Sequence, residues 1–189
     1  MKHLALAAAL LAAASGAAAD PETYTIDPNH TFPLYEVGHM GYSIQRGRFD
    51  KTQGKIVLDL IAHTGSVDVT IDTTTVDSGV GKLDERLRGE NFFNVARYPE
   101  MTFRSRELVF EGDNVKRANG ELTLLGVTRP VTLEMTHFKC GTNLMLSRHV
   151  CGADMITRIR RSEFGMTYLT SLVTDEVTLR VNVEALGEH

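Results

Sequence analysis

His137, Cys140, His149 and Cys151 are residue types that bind zinc, and the two sulfurs, the only cysteines in the chain, could instead join each other. Zinc needs all four to converge. On a regular strand side chains alternate between faces, so His137 and Cys140, three apart, point opposite ways. A disulfide asks only for the two thiols and an oxidising compartment; closing a loop of about a dozen residues stabilises by roughly 3 kcal/mol in the loop-entropy account. A Cys140–Cys151 bond is therefore expected, with a metal or redox site in that region as the alternative. His30 and His39 bracket a candidate strand at 31–39. Nine residues apart at about 3.3 Å per residue, they are tens of ångströms apart and on opposite faces unless Pro33 bends the strand. Hydrogen-bonded structural roles are expected for both.

Catalytic signatures are missing: no Gly-x-Ser-x-Gly, His-Glu-x-x-His or Gly-x-Gly-x-x-Gly occurs. Gly79-Val80-Gly81-Lys82 imitates part of a phosphate loop. Val76 stands where the first loop glycine belongs and Leu83 where the magnesium-binding hydroxyl belongs, so a turn into a helix is the better reading. The chain reads as a non-enzyme, with no metal.

Residues 1–19 carry Lys2, an apolar run from Leu4 to Ala14 and Ala17-Ala18-Ala19 before Asp20. That layout is a secretory signal peptide cleaved after Ala19, its apolar run being too short to span a bilayer. Residues 20–189 are then one domain, exported to the periplasm without stable membrane insertion. Losing Lys2 leaves 19 basic against 24 acidic side chains, a formal charge of −5, which gives no long-range pull on nucleic acid or anionic lipid headgroups. Arg158, Arg160 and Arg161 form the one basic concentration, expected to be a solvated or ion-paired turn near Asp154 and Glu163.

From Glu22 onward the dominant period is two. Clean alternation runs through 67–72, 131–136 and 177–184, and further strands are expected near 22–26, 31–39, 46–60, 100–111, 115–124 and 144–158. Asp27-Pro28-Asn29, His63-Thr64-Gly65, Gly112-Asp113-Asn114 and Gly126 supply turn chemistry between them. Eight or nine strands without a long helix must bury their apolar faces against one another. The expected fold is all-β, an antiparallel up-and-down barrel of about eight strands with one or two short helices, and a two-sheet sandwich is the runner-up.

Between the strands ending near Asp72 and starting near Glu100 lies an insertion too long for an ordinary turn, hence a lid or buttress. Leu83 and Leu87 share a face over 82–89, Asp84 is placed to pair with Arg88, and Gly89 to end the helix. Phe92 and Phe93 follow, either closing a mouth of the barrel or lying on its wall. A second helical turn is expected at 161–163, before Gly165.

Asp77, Gly79, Asp84, Leu87, Arg88, Phe92-Phe93, Val95, Tyr98-Pro99, Phe103 and Ser105, together with the passage Asn119 to Leu133, resemble the YceI-like family. The likeness runs from about Tyr24 to Ala185, and the family pattern also has histidines at His30 and His39. What it implies is a lipocalin-like barrel binding a polyisoprenoid, such as an isoprenoid quinone, as a non-covalent ligand. The expected lining is Val69, Ile71, Leu87, Phe92, Phe93, Met101, Phe103, Leu122, Leu124, Val131, Leu133, Met135, Leu179 and Val181, with Met155 and Met166 as further candidates. At about 0.3 kcal/mol per heavy atom, roughly 40 enclosed carbons would gain on the order of 12 kcal/mol, near nanomolar affinity. A homodimer is compatible with the family. A rival reading makes the protein an accessory of membrane electron transfer with a membrane cytochrome as partner.

Overall fold

The computed structural model describes residues 20–188; the expected leader and its cleavage site at Ala19 lie outside them. The elements are β1 (Glu22–Ile26), β2 (Phe32–His39), β3 (Ser43–Phe49), β4 (Thr52–Asp59), β5 (Thr64–Asp72), β6 (Val76–Asp77), α1 (Gly81–Arg88), β7 (Glu100–Glu111), β8 (Asn114–Leu124), β9 (Val127–Asn143), β10 (Arg148–Arg160) and β11 (Val173–Gly187). All pairings are antiparallel. The ring β1-β4-β5-β7-β8-β9-β10-β11 closes through Tyr24↔Gly187, Thr25↔Leu186 and Ile26↔Ala185. Eight strands therefore form a closed barrel with one α-helix, and closure leaves those strands no free edge to cover.

Three staves of this barrel are broken strands, which corrects two sequence expectations. Asp27-Pro28-Asn29 does not reverse the chain. It kinks it, because β1 and β2 both pair with β11, through Ile26↔Ala185 and then Asn182↔Phe32. Asp27 holds the kink by accepting from the Asn29 amide (2.9 Å) and from His30 Nδ1 (2.7 Å). The single strand expected at 46–60 is β3 and β4, parted at Asp50 and Lys51, whose amides both donate to Thr75 Oγ1 at 3.2 Å. The third stave is β5 and β6, β6 pairing with β3 through Arg48↔Asp77. Strands that wrap a small barrel must coil, and these breaks absorb the bend.

Bulges change which residues face inward. On β7, Met101, Phe103 and Ser105 are buried; the β8 register then slips between Ser105 and Glu107, and Leu108 joins the core. Ser105 satisfies the slip, its hydroxyl lying 2.6 Å from the Asn119 carbonyl and accepting from the Glu107 amide at 3.2 Å. On β9 the register skips Thr136, so the inward series changes from Val131, Leu133 and Met135 to Phe138 and Cys140.

The insertion between β6 and β7 is tied down. Arg88 donates to the carbonyls of Thr74 (2.8 Å) and Val76 (3.0 Å), and Thr73 Oγ1 to that of Tyr98 (2.8 Å). The Asp84–Arg88 pair expected across one helical turn gives way to other partners, because Asp84 accepts from the Ser78 hydroxyl (2.6 Å) and amide (2.7 Å). Those bonds hold its carboxyl below the usual range. The helix starts one residue early, at Gly81 after the left-handed Gly79 (φ 77°), and Gly89 caps it in an extended conformation. The second helical turn is the short 3-10 stretch Arg161–Phe164, ended by Gly165 at φ 89°.

Candidate ligand-binding cavity

A cavity of about 520 Å³ occupies the barrel axis. It exists because several inward positions hold side chains too short to reach the axis: Val67, Val69, Val115, Ala118 and Ala153 all border it, and the chain has no tryptophan. An eight-stranded barrel can be filled by its own side chains or can hold one small ligand; this one leaves room for a ligand. Its volume falls within the range of roughly 300–1,000 Å³ typical of small-molecule pockets.

The residues expected to line such a space meet there. Val69 and Ile71 come from β5, Met101 and Phe103 from β7, Leu122 and Leu124 from β8, Val131, Leu133 and Met135 from β9, and Leu179 and Val181 from β11. Leu87, Phe92 and Phe93 reach it from the insertion, and Met155 and Met166 also border it. Phe93 packs edge-on against Phe49 with ring centres 5.2 Å apart, and Phe92 against Tyr168 at 5.6 Å, so the two phenylalanines stand at the mouth.

Sequence reasoning missed several lining residues. Leu108, Val115 and Phe138 border the cavity beyond register slips, where counting by twos reaches the wrong face, while Ala118 continues the Leu124-Leu122 series and was simply not named. Tyr35 and Phe49 lie on the broken staves. The Tyr35 ring crosses β3 directly over Gly47, where any Cβ would collide with its hydroxyl, and the Phe103 ring lies over Gly120 in the same way. Glycines inside predicted strands were the available signal. Burial first, then Asp84 and Asp77, pushes the Tyr35 phenol up to about 12, so it stays neutral in the wall.

One end is open and the other sealed. The exposed residues bordering the cavity, His39, Gln45, Arg46 and Arg86, sit on the β2–β3 hairpin and on α1. At the far end Tyr24, Ile26, Leu58, Cys151, Val183 and Ala185 form a second buried cluster that closes the floor. The two histidines accordingly part company, His30 at the β1–β2 kink and His39 at the mouth beside Val173.

Of the basic cluster expected to be a solvated or ion-paired turn, Arg158 and Arg160 are exposed as expected, and Arg161 is not. Arg161 is 3% exposed, and its guanidinium donates to the carbonyls of Met166 (3.1 Å), Tyr168 (2.8 Å), Val173 (3.0 Å) and Thr174 (3.1 Å). Burial lowers its pKa, opposed by Asp175. Neither Asp154 nor Glu163 provides these contacts, because the loop after the 3-10 stretch folds back over the side chain; Arg158 instead pairs with Glu176 at 3.7 Å. The sulfurs of Cys140 and Cys151 are bonded across directly opposed positions of β9 and β10, so neither thiol is available to hold zinc.

The YceI-like domain family matches residues 24–185. A UPF0312 protein of Yersinia pestis (strain Pestoides F) is 35% identical over 186 residues, covering 97% of this chain and 94% of the relative. Among solved structures, BcnA of Burkholderia cenocepacia superposes with a TM-score of 0.70 at 24% identity, covering 84% of this chain and 98% of that one. A polyisoprenoid binding domain from Saccharophagus degradans, implicated in plant cell wall breakdown, superposes with a TM-score of 0.65 at 17% identity, over 87% of this chain and 98% of that domain.

Proposed function

The chain belongs to the YceI-like family, and from that premise we propose that it is a non-catalytic periplasmic carrier that shelters a long-chain polyisoprenoid, such as an isoprenoid quinone, in its barrel. The observation that carries this reading is the cavity itself, about 520 Å³ bordered on nearly every side by aliphatic, methionine and phenylalanine side chains. The polyisoprenoid binding domain that shares the fold supports the ligand class. Burying apolar area at about 25 cal/mol per Å² supplies the affinity, and adaptable methionines at positions 101, 135, 155 and 166 suit a branched chain.

The wall also says what part of the ligand belongs inside. Arg161, the buried cation of the cavity wall, already commits four of its five N–H groups to carbonyls and leaves at most one for a phosphate. A neutral prenyl tail fills the interior, and the polar head stays at the mouth among His39, Gln45, Arg46 and Arg86. Export by the leader at residues 1–19 matches the Cys140–Cys151 bond, which persists in an oxidising compartment.

Native mass spectrometry before and after organic extraction tests the reading. The expected result is a bound prenyl lipid that extraction removes and added isoprenoid quinone restores. A folded barrel that arrives empty and takes up no prenyl lipid overturns it.

A further inference from the structure

The rim of the open end differs from the rest of a chain in which 23% of residues are charged. Two segments form most of it, His39–Gln45 and Gly165–Val173, and neither contains an Asp, Glu, Lys or Arg. They meet through the Met40 amide, which donates to the Leu172 carbonyl at 2.7 Å, and through the Val173↔His39 pair. Their tips show Met40, Tyr42, Ile44, Tyr168 and Leu172 to solvent, Tyr42 at 86% exposure. Large side chains grouped this way form an apolar collar continuous with the cavity wall, since Val37, Leu169 and Val173 of the same elements border the cavity.

We propose that this collar docks on the surface of a phospholipid bilayer, so that the prenyl chain passes between membrane and barrel without crossing water. The inference rests on the lipid-carrier reading above and names the partner of that same site. Lys82 and Arg86 stand one turn apart on α1 beside the collar, Arg86 at the cavity edge, and neither has an ion-pair partner among the described residues. They complement lipid phosphates, while the collar inserts Tyr42 and its neighbours to the depth of the headgroups, where amphipathic aromatic rings sit well. An acidic protein overall is not drawn from a distance, so docking is short-ranged, reversible and driven mainly by apolar contact. A second apolar tip, Leu144 to Leu146 on the β9–β10 turn, lies at the sealed end and serves as an internal control.

Co-flotation with phosphatidylcholine vesicles, with and without phosphatidylglycerol, tests the proposal on the full mature chain. Wild type is expected to float with both, more with the anionic lipid. Met40→Ser/Tyr42→Ser/Ile44→Ser, and separately Tyr168→Ser/Leu172→Ser, are expected to cut the vesicle-bound fraction roughly tenfold or more, with circular dichroism unchanged. Lys82→Gln/Arg86→Gln should remove only the anionic-lipid increment, and Leu144→Ser/Met145→Ser/Leu146→Ser should change nothing. No flotation of the wild type, flotation indifferent to both collar variants, or equal loss from the sealed-end variant overturns the proposal; a protein partner in place of lipid would give the first result. Ligand content measured by mass spectrometry separates the two readings. A barrel that floats through its collar but never carries prenyl lipid removes the carrier reading and leaves docking standing, while a loaded barrel that ignores vesicles does the reverse.

Discussion

The two ends of the barrel solve opposite problems with the same strands. At the sealed end, short hairpins, a cross-strand disulfide and the Tyr24-Ile26-Leu58 cluster bring side chains together until no space remains. At the open end the strands finish under α1, Phe92, Phe93 and the loop pinned by Arg161, which cover the axis without filling it. The difference teaches that short inward side chains open the cavity along the axis, while backbone-anchored covers shape its mouth. One buried guanidinium holding four carbonyls, together with buried Met166 and the Tyr168–Phe92 ring contact, fixes the position of a nine-residue uncharged loop.

Breaking that anchor is expected to have the largest effect. Arg161→Met strands several carbonyls, and urea unfolding should report a loss of about 3–5 kcal/mol together with faster ligand release. Removing the anchor of the other end comes next. Cys140→Ala/Cys151→Ala should cost roughly 3 kcal/mol in the same assay, yet leave prenyl-lipid uptake intact, because Tyr24, Ile26, Leu58, Val183 and Ala185 of the floor cluster remain. Equal loss of uptake from both variants would dissolve the distinction between the ends.

Phe93→Ala sharpens the comparison at the mouth alone. The half-buried ring should cost about 1.5–3 kcal/mol and raise the ligand off-rate in stopped-flow release, because it packs against Phe49 at the opening. The smallest effect is a pH dependence of the insertion. Asp84 has a folded pKa lowered chiefly by the Ser78 hydroxyl, so its contribution is present above the unfolded value of about 3.9 and is lost as pH falls through the lower folded value. Asp84→Asn should therefore flatten the stability profile below about pH 4, and an unchanged acid limb would show that Asp84 does not tie the insertion down.

Much of this architecture was legible in the residues. Alternation at 67–72, 131–136 and 177–184 marked strands whose inward members do border the cavity, and the long stretch before Glu100 announced a cover with Leu87, Phe92 and Phe93 pointing into it. Most of what escaped reading has one cause. Where a strand bulges, as at Arg106 or Thr136, or breaks, as at Asp50, period two changes phase, and no local pattern records the shift. Asp27-Pro28-Asn29 shows the same blindness in a turn signal, since identical chemistry can reverse a chain or merely bend it.

By itself, then, the sequence determined the strand content and the all-β class, favoured a Cys140–Cys151 bond and named part of the apolar lining, because alternation and cysteine count are local properties. Only the tertiary structure decided that the barrel is hollow, that one end is sealed, and that Arg161 is a buried anchor rather than a surface charge. Those depend on which side chains converge on the axis from eight strands at once, and convergence is a property of the closed ring rather than of any one strand.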